Sequence, residues 1–350
     1  MTPRVVIHAG MHKTATKSLQ NLLDAQRPLL RAHGVCYPFT RFHHGSLLRA
    51  KHPDWDPSLC RDALDEAAES ASETLVVSGE TVSTLSEQQL HRLVGAFRGS
   101  DVTFVICMRP WADFLPSRWA QNCLRRDSQT FDAYLAALRA TDGHPDLRFD
   151  LILDRMLATG AAVRAVSYSN ALTAPGGVIA AVLGAMDLPT PLVDALLQSD
   201  PAWRHRRMTW QNVELCRLLN GSRAHRAGLP QDELFRSLGE CRPCLKFFDT
   251  DQQLDRLAPP LRETLAEAIA GYRTECMVDS AIVPRAVRHR LQDAHGGLFV
   301  NRVDGRAFAD ESTVRVTCTS VAWAEFSEAH RPIIDAALAQ PAGSKRVGSA

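Results

Sequence analysis

The stretch VIHAGMHKTATKSLQNLL, residues 6–23, decides the fold. An apolar run ends at His8, and a turn follows that holds Gly10, Lys13 and the hydroxyl residues Thr14, Thr16 and Ser18. Leu19, Leu22 and Leu23 then recur at helical spacing. A strand leading through a tight turn into a helix turns several backbone N–H groups and the positive end of the helix dipole toward a ligand. Lys13 adds a point charge and the hydroxyls add donors, so the expected ligand is an anion with several oxygens, a phosphate above all. The loop departs from a Walker loop, which sets Gly directly before its Lys and Ser or Thr directly after it. Gly10 lies three residues before Lys13, and no other strand end offers an evident metal-binding Asp. Metal-dependent triphosphate chemistry is therefore disfavoured, and no metal site is expected.

Outward from this loop, the first half of the chain alternates strand-like and helix-like segments. RVVIH (4–8), TLVVSG (74–79), VTFVICM (102–108) and AVRAVSY (162–168) read as buried parallel strands, being short apolar runs rich in Val and Ile. Between them, the first helix shows a face of Leu19, Leu22, Leu23 and Leu30, is interrupted at Pro28 and closes near Gly34. A second runs from Ser86 to Arg98, with Ser86 and Gln89 at capping-box spacing. FDLILDRMLATG (149–160) is a third with a Gly stop. This alternation predicts an α/β fold, a three-layer α/β/α sandwich around a central mostly parallel sheet. Sites in such sheets lie at the carboxyl ends of the strands. Residues 8–18, 78–80, Arg109 onward and Tyr168 should then converge on one crevice.

A second motif, RPWADFLPSRW, follows the strand 102–108. Arg109, Asp113 and Ser117 recur at four-residue steps, and an Arg fork with a Ser hydroxyl can grip a second, isolated phosphate. Its simpler reading is an Arg–Asp113 pair at a helix start. Taken with the first loop, it predicts two phosphate groups at distinct positions, as in a 3′,5′-bisphosphorylated adenosine.

These two motifs resemble those of the sulfotransferases that use PAPS (3′-phosphoadenosine-5′-phosphosulfate). HKTATKS is similar to their 5′-phosphosulfate loop, and R-x-x-x-D-x-x-x-S from Arg109 to Ser117 to their 3′-phosphate motif. HAGMHKTATKSLQ is similar in pattern to bacterial members that open with H-x-G-x-H-K-T-G-T-x-S-x-Q. The likeness is specific over about residues 4–125 and thins to general fold similarity near 170. It implies a P-loop-NTPase-like sulfotransferase fold, with His12, Lys13, Thr14, Ala15, Thr16, Lys17 and Ser18 around the phosphosulfate. By the same resemblance, Arg109 and Ser117 hold the 3′-phosphate and Tyr168 packs near adenine. The chain departs from the pattern twice. Ala15 stands where Gly is usual, so the backbone must keep φ negative or accept strain, and Lys17 replaces a small hydroxyl residue.

Lys13 is the residue expected to neutralise the leaving phosphate. For the base that deprotonates the acceptor, Glu80 ranks first, because it ends the strand TLVVSG and SGE is similar to the SSE of bacterial relatives. His12 ranks second, and His43 or His44 third; His8 also ends a strand. The expected activity is sulfuryl transfer from PAPS to a hydroxyl or amine of a small metabolite or carbohydrate, releasing 3′-phosphoadenosine-5′-phosphate. Two alternatives stand beside it: an ATP-dependent small-molecule kinase, and a non-catalytic nucleotide- or partner-binding protein on a sulfotransferase fold.

The remaining expectations come from the whole chain. Of the 40 basic residues only five are Lys, and two of these are Lys13 and Lys17. A net charge of +1 argues against a nucleic-acid or membrane-surface binder. No signal peptide and no membrane span are read. Nine scattered cysteines argue against a disulfide framework and for the cytoplasm, and the CRPC of residues 241–244 reads as ordinary thiols. One sulfotransferase-like domain is expected over 1–340, with a PAPS-binding core to 170. Residues 171–340 form a mainly helical acceptor-side elaboration without clear strands between about 170 and 295. AHGGLFVNRVDG (294–305) reads as loop and turn, WRHRRMTW (203–210) either as a cover for an anionic or carbohydrate acceptor or as plain surface charge in an Arg-biased sequence, and 341–350 as a disordered tail.

Overall fold

The computed structural model describes residues 2–39, 44–125, 127–141, 143–199, 209–226, 259–303, 313–321 and 323–339. The chain divides into two compact units. The first comprises Met1–Phe114, Gly143–His205 and Ser280–Ser312; the second comprises Leu115–Asp142, Arg206–Asp279 and Thr313–Ala350.

The first unit is α/β. Its five-stranded sheet runs β2-β3-β1-β4-β5, with β1 Arg4–His8, β2 Val35–Cys36, β3 Thr74–Ser78, β4 Val102–Met108 and β5 Ala162–Ser167. All four neighbouring pairs are parallel, and the register sets His8 between Ser78 and Val105. The four expected strands are present, and β2 is a two-residue edge strand too short to show a pattern. Val5, Val6 and Ile7 are almost completely buried, each contributing on the order of 1.5–3 kcal/mol of transfer free energy. Val6, Val76, Val105, Cys107 and Val166 share one core with Leu19, Leu22 and Leu23 of α1 (Thr16–Ala25) and Leu30 of α2 (Arg27–Ala32). Alternation along a strand sends Val5, Ile7, Leu75 and Val77 to the opposite face, an arrangement compatible with three layers.

The break between α1 and α2 falls at Gln26, and Pro28 sits in the first turn of α2, where its missing N–H costs nothing. Helices α3 (Ser58–Glu69), α4 (Glu87–Ala96) and α7 (Phe149–Ala158) belong to the same unit. The expected capping box opens α4: Ser86 accepts from the Gln89 N–H, and the Gln89 side chain accepts from the Ser86 N–H. Gly160 stands just past α7 at φ 79°. After β5 come α8 (Tyr168–Thr173), α9 (Gly177–Ala185) and α10 (Thr190–Gln198).

The second unit contains a strand inside the stretch of about 170–295 where no clear strands were expected, and that expectation is corrected. β6 (Arg273–Asp279) pairs antiparallel with β7 (Thr313–Thr319). β6 reads RTECMVD, and Val278 is its one buried residue, so backbone pairing rather than an apolar pattern makes it a strand. α5 (Trp111–Arg125) carries the chain from the first unit to the second, where α6 (Phe131–Ala140), α11 (Trp210–Arg226) and α12 (Pro259–Ala270) follow. Leu215, Leu218, Leu219, Leu265, Ile269 and Phe326 form its core.

Inside the second unit α11 also buries a polar stripe. Arg217 Nε donates to Glu214 at 2.6 Å, and both side chains are essentially inaccessible. Arg217 donates further to the Ser128 and Val321 carbonyls and to Thr319 Oγ1, while Glu214 accepts from the Thr319 N–H. Asn220 donates to the Cys123 and Asp127 carbonyls. Among the described residues no helix is long and apolar enough to cross a membrane.

Candidate functional site

The strand ends of the first unit are tied to one another by main chain and side chain. Past His8 the chain keeps pairing with β4: Ala9 N–H donates to the Val105 carbonyl, Cys107 N–H to Gly10 and Met11 N–H to Cys107, at 2.7–3.1 Å. On the other side, Gly79 N–H donates to the His8 carbonyl at 3.0 Å. Gly10 has φ +89°, and a Cβ there would stand 3.1 Å from the Glu80 Cα. Only glycine lets the loop lie against the residue that follows β3.

Lys13 and Ala15 both adopt left-handed backbone, at φ 64° and 63°. Such a conformation costs an L-residue about 1–2 kcal/mol, so the loop accepts the strain that the Gly-to-Ala departure raised. Ala15 is the N-cap of α1 and no side chain caps the helix. The positive end of the α1 dipole therefore faces the loop without an N-cap side chain from Ala15. Thr14 and Thr16 are buried and both hydroxyls donate to the Met11 carbonyl, at 2.8 and 3.2 Å. Their hydrogens shape the loop from within, whereas Lys17 is exposed and Ser18 half-buried.

His12 Nδ1 lies 2.9 Å from Glu80 Oε2. The two residues ranked first and second as base are therefore one unit. A carboxylate only accepts, so Nδ1 carries a proton, and in the neutral ring the lone pair is then on Nε2.

Below them, His8 is completely buried, with Nδ1 2.8 Å from Ser78 Oγ, which also accepts from Gln20 Nε2 at 3.0 Å. Burial pushes the His8 imidazole from 6.5 down to about 4, only partly opposed by the Glu80 charge. His8 is thus neutral at pH 7 and in no position to serve as a base. Between those two values the unfolded chain binds a proton that the folded chain refuses, so stability falls as pH drops from 6.5 to 4. The integrated loss is about 3 kcal/mol. Urea unfolding across that range should show this slope in the wild type and lose it in His8→Gln; an unchanged slope would contradict the assignment.

Arg109 joins three of the strand-end segments. Its Nη1 donates to the Lys13 carbonyl at 3.4 Å, its guanidinium carbon stands 5.0 Å over the Tyr168 ring, and Asp113 lies 4.0 Å away. Its Nε is buried without a hydrogen-bond partner. The pairing with Asp113 is at the limit of an ion pair, so the simpler reading of the second motif accounts for little of this geometry. Ser117 lies further along α5, beyond Phe114, in the second unit.

The remaining candidates are placed as follows. His44 is buried with both ring nitrogens engaged: Nδ1 accepts from the Ser78 N–H at 3.0 Å and Nε2 donates to the Pro38 carbonyl at 2.9 Å. It serves as structure. Cys107 is buried next to the loop, and burial pushes its thiol up to about 12, away from nucleophilic use. His43, the CRPC of residues 241–244, residues 203–208 and the tail 341–350 lie outside the described residues. Sequence reasoning assigned no role to Ser78, which holds His8, Gln20 and His44 together, although Gln20 closes the motif quoted for the resemblance. Comparison with known proteins finds no matching family model, no matching curated protein and no matching solved structure.

Proposed function

We propose that the chain is a sulfotransferase of P-loop-NTPase-like architecture that moves the sulfuryl group of PAPS to a hydroxyl or amine acceptor in the cytoplasm. Arg109 carries the reading: a half-buried guanidinium with an unpartnered Nε, set between the Lys13 loop and the Tyr168 ring. A buried N–H without a partner is costly, and a phosphate oxygen at that place would satisfy it. Two cations on two neighbouring loops suit a ligand with two separated phosphates better than a triphosphate chain.

PAPS supplies an activated sulfuryl group on a phosphate leaving group. The residues of the chain carry the rest. The N-terminal end of α1 and Lys13 receive the negative charge that grows on the 5′-phosphate oxygen as its bond to sulfur breaks. His12 Nε2 takes the proton of the acceptor as its oxygen or nitrogen bonds to sulfur. Glu80 fixes the His12 tautomer and stabilises the imidazolium that results. The pair left behind is 3′-phosphoadenosine-5′-phosphate and a sulfated acceptor, a small metabolite or carbohydrate.

The test is to incubate the full chain with sulfur-radiolabelled PAPS and sets of small hydroxylated metabolites, amines and oligosaccharides. Label appearing on an acceptor together with stoichiometric bisphosphate release is the expected result. Bisphosphate binding with no transfer to any acceptor would favour the non-catalytic alternative.

A further inference from the structure

The last described stretch of the first unit, residues 280–303, returns to the sheet at β5. The helix α13 (Arg285–Asp293) places Arg290 3.3 Å from Asp150 and 2.7 Å from Asp154, both on α7. Asp150 is buried and also takes a two-pronged contact from Arg148; burial alone would raise its carboxyl, and Arg148 overrides this and holds it low. His295 follows, 3.0 Å from Asp154. The chain then runs beside the edge strand: Phe299 bridges Ala165 in parallel, and Val300 N–H donates to the Ala165 carbonyl at 2.9 Å.

Asn301 completes this edge with its side chain. Its Oδ1 accepts from the Ser167 N–H at 2.8 Å and its Nδ2 donates to the Ser167 carbonyl at 2.9 Å. Asn170 Nδ2 in turn donates to the Asn301 carbonyl at 3.1 Å. A primary amide is the side-chain group that offers a donor and an acceptor from one planar end, so it can replace the two main-chain groups of a missing strand. Ser167 is the N-cap of α8, and its own side chain does not cap the helix. The Asn301 amide therefore joins the β4 pairing and the Ser169 hydroxyl in fixing the passage from β5 into α8. The next residue is Tyr168, whose ring carries Arg109.

We infer that Asn301 is a positioning residue of the nucleotide subsite: by locking Ser167 it sets the Tyr168 ring, and through that ring the Arg109 guanidinium that faces the 3′-phosphate. This deepens the reading above and rests on it. The residue touches neither the phosphosulfate loop nor the His12–Glu80 pair, so its effect belongs to recognition of the 3′-phosphate.

The experiment is calorimetry on the full chain with two ligands, 3′-phosphoadenosine-5′-phosphate and adenosine-5′-phosphosulfate, which lacks the 3′-phosphate. Asn301→Ala should weaken binding of the bisphosphate about tenfold, while affinity for adenosine-5′-phosphosulfate changes by less than about threefold. In an Arg109→Ala background, Asn301→Ala should cost nothing more for the bisphosphate, because the path it acts through is gone. Equal losses for both ligands would make Asn301 a structural residue only, and an unchanged bisphosphate affinity would overturn the inference outright. A wild-type chain that binds no bisphosphate overturns the functional reading and this inference together. Should Asn301→Ala fail to fold, Asn301→Asp keeps the acceptor for the Ser167 N–H and sets a carboxylate against the Ser167 carbonyl. It should show the same selective loss, and failure of both variants to fold would overturn the positioning role.

Discussion

Replacing His12 by Asn should lower the rate of sulfuryl transfer by about 10²–10⁴-fold, the usual worth of a positioned general base. Affinity for 3′-phosphoadenosine-5′-phosphate should stay within about threefold, because the proposed site holds the phosphates with the N-terminal end of α1, Lys13 and Arg109 rather than with the His12 ring. Glu80→Gln is expected to cost nearly as much. A glutamine amide can donate to His12 Nδ1, which draws the imidazole into the opposite tautomer and turns an N–H toward the acceptor. The double variant should be little slower than His12→Asn alone, since residues that act as one unit do not add. Steady-state and single-turnover rates on the four proteins check this. A His12→Asn enzyme near wild-type rate beside a crippled Glu80→Gln enzyme would return the proton to Glu80, the first expectation from the sequence. The 2.9 Å contact between the two side chains is the reason for moving it to His12.

The second large effect concerns stability. Arg217→Met leaves the Glu214 carboxylate buried in the second unit without its cation, and removing one partner of a buried pair costs about 3–5 kcal/mol. The Ser128 and Val321 carbonyls and Thr319 Oγ1 lose their donor in the same step. Glu214→Gln combined with Arg217→Met should recover part of the loss, because a neutral amide still accepts from the Thr319 N–H and no charge stays buried. Urea unfolding of the two variants beside the wild type measures it. A single variant within about 1 kcal/mol of wild type, the scale of an ordinary exposed ion pair, would contradict the buried network.

The central sheet was legible in the sequence because its strands are buried on both faces. RVVIH and VTFVICM are continuous apolar runs, and no alternation had to be detected. The converging strand ends followed from the same logic, and the contacts His12–Glu80, Arg109–Lys13 and Arg109–Tyr168 join the expected segments. The β6–β7 pair was not read. RTECMVD gives no apolar period, but TVRVTCT alternates Val314, Val316 and Cys318 and carried a signal that could have been used. Asn301 was invisible for a different reason. It pairs with main chain 134 residues away, and nothing in NRVDG marks an amide that stands in for a strand. The inward turn of the Thr14 and Thr16 hydroxyls is likewise a matter of rotamer and loop shape rather than of residue type.

The central claim is a two-phosphate grip built from the Lys13 loop and Arg109. It is tested most directly by titrating the full chain with 3′-phosphoadenosine-5′-phosphate and, separately, with ATP plus magnesium. The account predicts micromolar or tighter binding of the bisphosphate, at least about tenfold weaker binding of ATP, and loss of most of that preference in Arg109→Ala. Tight, magnesium-dependent binding of ATP with no measurable affinity for the bisphosphate would contradict it and turn the site toward the kinase alternative.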